Sequence, residues 1–148
     1  MNKFTVLSLL ALFLAGIYGC VETDKTEQEN LSSVELSEKE EPIRHINLPD
    51  ITSRERAVEV MDSTTAELKS RNNLNAEALS EIHYTTYSLE KAVAYFVENS
   101  SGKQQTTASE MAAVVEELHI HSEKNRSEET RNTLDEYFRI QEAFRQDL

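Results

Sequence analysis

From Thr52 onward apolar residues recur at intervals of three and four, the period of an α-helix lying on a core. Ala57, Val60, Met61, Thr64 and Leu68 line one face of a first helix. Thr52-Ser53-Arg54-Glu55 has the spacing of a capping box, which predicts a start at Thr52, and Ser70-Arg71-Asn72-Asn73 ends the helix. The clearest periodicity follows, in a second helix over about 75–98. There Leu79, Ile82, Thr86, Leu89, Val93 and Phe96 wind a single stripe, as at the seam of a bundle. Residues 99–103 read as a loop. Thr107-Ala108-Ser109-Glu110 is a second capping box, predicting a third helix with Met111, Val114, Val115, Leu118 and Ser122 on one face. After a short connection at 125–127 a fourth helix runs to the end, with Leu134, Tyr137, Phe138, Gln141, Phe144 and Leu148 inward. Ile120 and Ile140 fall on outward faces, either exposed or marking a contact surface.

Four amphipathic helices joined by short links fold most simply as an antiparallel, up-down-up-down bundle. The fold class is therefore all-α, with the bundle domain over 47–148. With 3 glycines and 2 prolines in 148 residues, the chain lacks the turn formers of a β-sandwich or barrel.

The start of the chain has a different pattern. Met1-Asn2-Lys3 precedes a continuous apolar run from Phe4 to Tyr18. As a helix this run spans about 22 Å, short of the ~30 Å hydrocarbon core but right for an export signal. It ends in Ile17-Tyr18-Gly19-Cys20, with the chain's 1 cysteine, so no disulfide can close within the chain. This ending resembles the lipobox of bacterial lipoproteins, although Tyr18 stands where a small residue is usual. The resemblance implies a signal peptide over 1–19, lipidation of Cys20 by acyl chains such as palmitate, and stable membrane anchoring. Val21, where an inner-membrane retention signal would place Asp, implies the periplasmic face of the outer membrane. The alternative is an ordinary secretory signal that happens to contain a cysteine.

Between Val21 and Arg44 eight acids face three bases, and few residues are apolar. Such a stretch buries too little to offset its chain entropy, so 20–46 reads as a disordered acidic tether holding the bundle off the membrane. An acidic tail that binds a partner is the other reading. The whole chain carries a formal charge of −12, with no clustered positive surface for phosphates, which argues against nucleic acid.

Candidate chemistry rests on the histidines. In an antiparallel hairpin, residues at one height have a constant index sum. For helices two and three this sum sets His83 opposite Ser122, within about a turn of His119 and His121. Across helices one and two it brings Met61 and Asp62 to the same height. Imidazole and thioether ligands suit copper or haem iron, and imidazole with carboxylate suits zinc. The layer resembles cytochrome b-type four-helix bundles, although no haem-attachment motif is present. His119 and His121 lie to either side of the core face and cannot both point inward, and His119 is the better partner for His83. The bland alternative is a set of interfacial histidines bonded to Glu, Thr or Tyr neighbours such as Tyr87. Glu90, about 10 Å along the helix from His83, is too far for direct coupling to it. The tyrosines Tyr84, Tyr87, Tyr95 and Tyr137 read as packing residues.

No nucleophile, P-loop or dinucleotide motif is present, so no enzyme and no catalytic residue is expected. The stretches IHxxTYxLExA (Ile82–Ala92) and VEELHxxSE (Val115–Glu123) resemble small uncharacterised secreted helical proteins of proteobacteria, a likeness that implies no activity. The leading expectation is a lipid-anchored envelope protein with a structural or interaction role, meeting the membrane through Cys20 and another envelope protein through the bundle, with no cofactor. The alternative is a binder of copper, zinc or haem through His83 and His119, with Met61 as a third ligand.

Overall fold

A computed structural model describes residues 39–148, and the readings placed on residues 1–38, including the signal, Cys20 and most of the acidic tether, lie outside it. The described residues hold four α-helices and no strand: α1 (Arg54–Lys69), α2 (Ala76–Asn99), α3 (Gly102–Glu123) and α4 (Ser127–Gln146). Consecutive helices pack on one another as an all-α bundle. Helices α1 and α4 meet through longer side chains. Thr65 Oγ1 lies 2.6 Å from Tyr137 Oη, Asp62 pairs with Arg145 at 3.0 Å, and Arg54 donates to the Leu148 carbonyl. In these three pairs the lower number falls as the higher one rises, as it must when two helices run antiparallel. Among the described residues no helix is long and apolar enough to cross a membrane.

The stripe predicted on α2 is the centre of the core. Leu79, Ile82, Thr86, Leu89, Val93 and Phe96 are all buried, and the Phe96 ring meets Phe144 of α4 edge-on at 4.9 Å. Helix ends depart from expectation in two places. The cap of α1 is Ser53, whose hydroxyl accepts from the Arg56 N–H, rather than Thr52 one residue earlier. Helix α3 begins at Gly102, not at the capping box predicted around Thr107. Thr107 lies inside the helix, its hydroxyl spent on the Lys103 carbonyl. The earlier start depends on Gly102, whose φ of +58° lies in the left-handed region, where a Cβ is unfavourable. This lets α2 reverse into α3 through Ser100 and Ser101 alone.

Ile120 and Ile140, expected on outward faces, are buried instead. Helix α3 is covered by α2 on one side and α4 on the other, so its buried arc is wide enough to take Leu118, His119 and Ile120 in succession. Conversely Tyr84, read as a packing residue, is largely exposed, and so is Leu148 in part.

The described part of the acidic stretch lies along the bundle. Residues 39–53 form no regular secondary structure, yet they are tied down at several points. Glu40 pairs with both Arg126 and Lys124, and those cations hold its carboxyl down at about 2. Arg44 pairs with Glu90, and Asp50 accepts from Lys91. Among the described residues, contacts with the helices already occur at Lys39 and Glu40, ahead of the boundary expected at 46/47.

Candidate metal centre

Two turns of helix build the site. On α2, His83, Tyr87 and Glu90 follow at intervals of four and three. On α3, His119 and Glu123 are four apart, so both share a face. The antiparallel pairing of α2 and α3 brings these faces together. The His83 and His119 rings meet edge-on with centroids 4.6 Å apart, and Tyr87 packs against both, at 5.3 and 4.8 Å. One ligand atom from each of His83, His119 and Glu123 lies within 4.8 Å of the others.

His119 is completely buried and is oriented by its own carboxylate: its Nδ1 lies 2.7 Å from Glu90 Oε1. Bonding at Nδ1 leaves Nε2 to face the cluster, the way a carboxylate orients a metal-binding imidazole. That Nε2 has no hydrogen-bond partner, and neither has Nδ1 of the buried His83. His83 Nε2 has only a long contact to Tyr87 Oη, at 3.4 Å. Burial, and then the neighbouring His119 imidazole, lower the pKa of His83, against the opposing pull of the Glu123 carboxylate. It is thereby favoured in the neutral form, the one that binds a metal ion. For Glu90, burial works to raise the pKa, but the hydrogen bond with His119 and the Arg44 guanidinium prevail and lower it. The anion that steadies His119 is thus itself held by Arg44.

The donor set of two imidazoles and a carboxylate fits zinc, and it fits copper(II) as well. With bonds near 2.0–2.1 Å, tetrahedral ligand atoms stand about 3.4 Å apart, so the group has to close inward by about 1.4 Å at its widest. Rotation of the Glu123 side chain and of one imidazole supplies a movement of that size. A haem would need the two rings on opposite faces of a macrocycle, and rings in edge contact leave no slot between them.

The other residues assigned to this layer have different roles. Met61 is fully buried in the aliphatic core, Asp62 is committed to Arg145, and Nδ1 of the half-buried His121 lies 2.9 Å from Thr133 Oγ1. The contacts of the three helical histidines, His119 with Glu90, His121 with Thr133 and His83 with Tyr87, are of the Glu, Thr and Tyr kind expected of interfacial histidines, but the sequence singles out neither Glu90 nor Glu123 for the cluster. Along its own helix Glu90 lies too far from His83, and its partner is His119 across the hairpin. The index sums pointed there: 83 with 123 and 90 with 119 both lie within about a turn of the hairpin's constant. The spacing of His119 and Glu123 on one helix face was a further signal in the sequence.

No curated protein and no solved structure matches the chain. One family model covers residues 27–146, taking in the irregular segment 39–53 as well as all four helices. The chain belongs to DUF6746, a family of unknown function.

Proposed function

We propose that this protein binds a transition-metal ion, zinc or copper(II), through His83 and His119 with Glu123, and that it does so as a lipid-anchored protein of the bacterial envelope. The observation that carries the metal reading is the pair of buried ring nitrogens, Nδ1 of His83 and Nε2 of His119, that have no hydrogen-bond partner beside an acidic side chain. Leaving such a group unpaired costs about 1–3 kcal/mol, and a bundle with no use for it would fill the space with aliphatic side chains. An ion takes up both lone pairs at once. Envelope anchoring is supported by the apolar run that ends at Cys20. The role is one of binding rather than catalysis, in keeping with the lack of a nucleophile motif in the sequence. A purely structural role at a contact face of the bundle has less support, since Ile120 and Ile140, which would have marked that face, are buried.

Calorimetric titration of the metal-free chain with zinc and with copper(II) tests the reading. One ion should bind per chain, and His119→Ala should abolish saturable binding while leaving the far-UV circular dichroism unchanged. Titration that never saturates, or that the substitution leaves untouched, would overturn it.

A further inference from the structure

The segment ahead of the bundle brings a third histidine to the site. His45 lies on the irregular strap, and its Nε2 stands 3.6 Å from Glu123 Oε1. Its ring is 6.0 Å from that of His83, centroid to centroid. The backbone on either side is fixed to the site's own residues. The His45 N–H donates to Tyr87 Oη at 2.9 Å, the same hydroxyl donates to the Ile43 carbonyl at 3.2 Å, and the Ile43 N–H donates to Glu123 Oε2 at 3.2 Å. Arg44 between them pairs with Glu90, the residue that orients His119. Each strap residue from 43 to 45 therefore touches a residue that either binds or positions the cluster.

What holds the strap is otherwise weak. The Ile43 and Ile46 side chains are exposed, so the strap gains little from apolar burial, and His45 itself is more than half exposed. The remaining ties are ion pairs in which at least one partner is exposed, so that each contributes only modestly against the entropy of ordering a backbone. A coordinate bond to His45 would be of a different order.

We infer that His45 is a fourth ligand, closing a three-imidazole, one-carboxylate site, so that an ion bound there clasps the strap to α2 and α3. This inference rests on the metal reading proposed above. With His83 on α2, His119 and Glu123 on α3 and His45 on the strap, three separate pieces of chain converge on one ion. Four ligands complete the tetrahedron that zinc takes in closed sites, which are built to hold a metal rather than to open a position for substrate. Metal occupancy would then set whether residues 43–47 stay clasped to α2 and α3 or come free of them.

The test is amide hydrogen exchange of the full chain, purified in detergent, with chelator and with zinc at saturation, read alongside calorimetry. In the unaltered chain zinc should slow exchange of residues 43–47 at least tenfold. In His45→Ala zinc should still bind, with affinity reduced tenfold or more, and at saturation should no longer slow exchange of the strap. The clasp is overturned if zinc binds the unaltered chain without protecting the strap, or if His45→Ala keeps both full affinity and protection. In either of those cases the site on His83, His119 and Glu123 still stands. If zinc fails to bind the unaltered chain, the metal reading fails and the clasp with it.

Discussion

Replacing His83 by Leu separates a binding residue from a packing residue. His83 is 7% exposed, and its Nδ1 has no hydrogen-bond partner. Leu is close to it in size and removes that unpaired nitrogen, worth about 1–3 kcal/mol. It also forfeits the edge contacts with Tyr87 and His119, for which about 0.5–1.5 kcal/mol is a fair allowance. The balance favours the variant by about 1 kcal/mol when no metal is bound. A folded unit of about 110 residues unfolds with an entropy near 0.23 kcal/mol/K, so the melting temperature should rise by about 4 °C. With zinc at a hundred times its dissociation constant the unaltered chain should gain about 2.7 kcal/mol, or roughly 12 °C, and His83→Leu nothing. The two proteins thus exchange order: the variant melts higher in chelator and lower in zinc. Thermal melts at 222 nm and pH 7.5, in chelator and in zinc, read all four values. A fall of several degrees for His83→Leu in chelator would refute the reasoning, because His83 would then be stabilising the fold for its own sake.

Three further outcomes follow from contacts already described. Glu90→Gln keeps an acceptor for His119 but loses the charge that fixes its orientation and pairs with Arg44, so zinc affinity measured by competition with a chromophoric chelator should fall about 10–100-fold. Thr65→Val leaves the buried Tyr137 hydroxyl without its 2.6 Å partner and should cost about 1–3 kcal/mol in urea unfolding, whereas Tyr137→Phe should cost nearer ~1 kcal/mol, because Thr65 still donates to the Met61 carbonyl. For pH, His83 has its folded pKa below the ordinary 6.5, so its contribution to metal-free stability is present above 6.5 and is lost as pH falls through the folded value. Burial raises the Tyr137 pKa above 10, against the weaker pull of its hydrogen bond with Thr65, so its contribution is present below pH 10 and is lost as pH rises through the folded value. Melting temperatures of the metal-free chain should accordingly decline on both sides of the interval between pH 6.5 and 10.

The helices were legible because the aliphatic stripe of α2 keeps its period over the whole element, and a hydrophobic face that long admits one regular structure. Their ends were less so. Thr52 and Ser53 are adjacent hydroxyls that can serve the same cap, and the choice between them depends on where the strap enters, which local spacing does not encode. At α3 the capping signal of Thr107 lost to Gly102, because one residue able to take positive φ closes the turn earlier. Ile120 and Ile140 read as outward while each helix was given one buried face, but α3 has neighbours on both sides. Of the site, the meeting of His83 with His119 was readable from hairpin register alone. Glu90 reads as too far from His83 along their shared helix, and nothing in the local pattern singles out Glu123, although the same register places both within reach of the histidines. His45 was hidden for a different reason: it sits in a stretch whose composition reads as disordered, and only its contacts with Tyr87, Glu123 and the His83 ring bring it to the cluster.

The most direct measurement is equilibrium dialysis of the chain against zinc at micromolar concentration, followed by elemental analysis, with His119→Ala dialysed beside it. The expected result is one zinc retained per unaltered chain and none above background in the variant. Equal zinc in the two proteins, or none in either, would contradict the assignment of His83, His119 and Glu123 as a metal site.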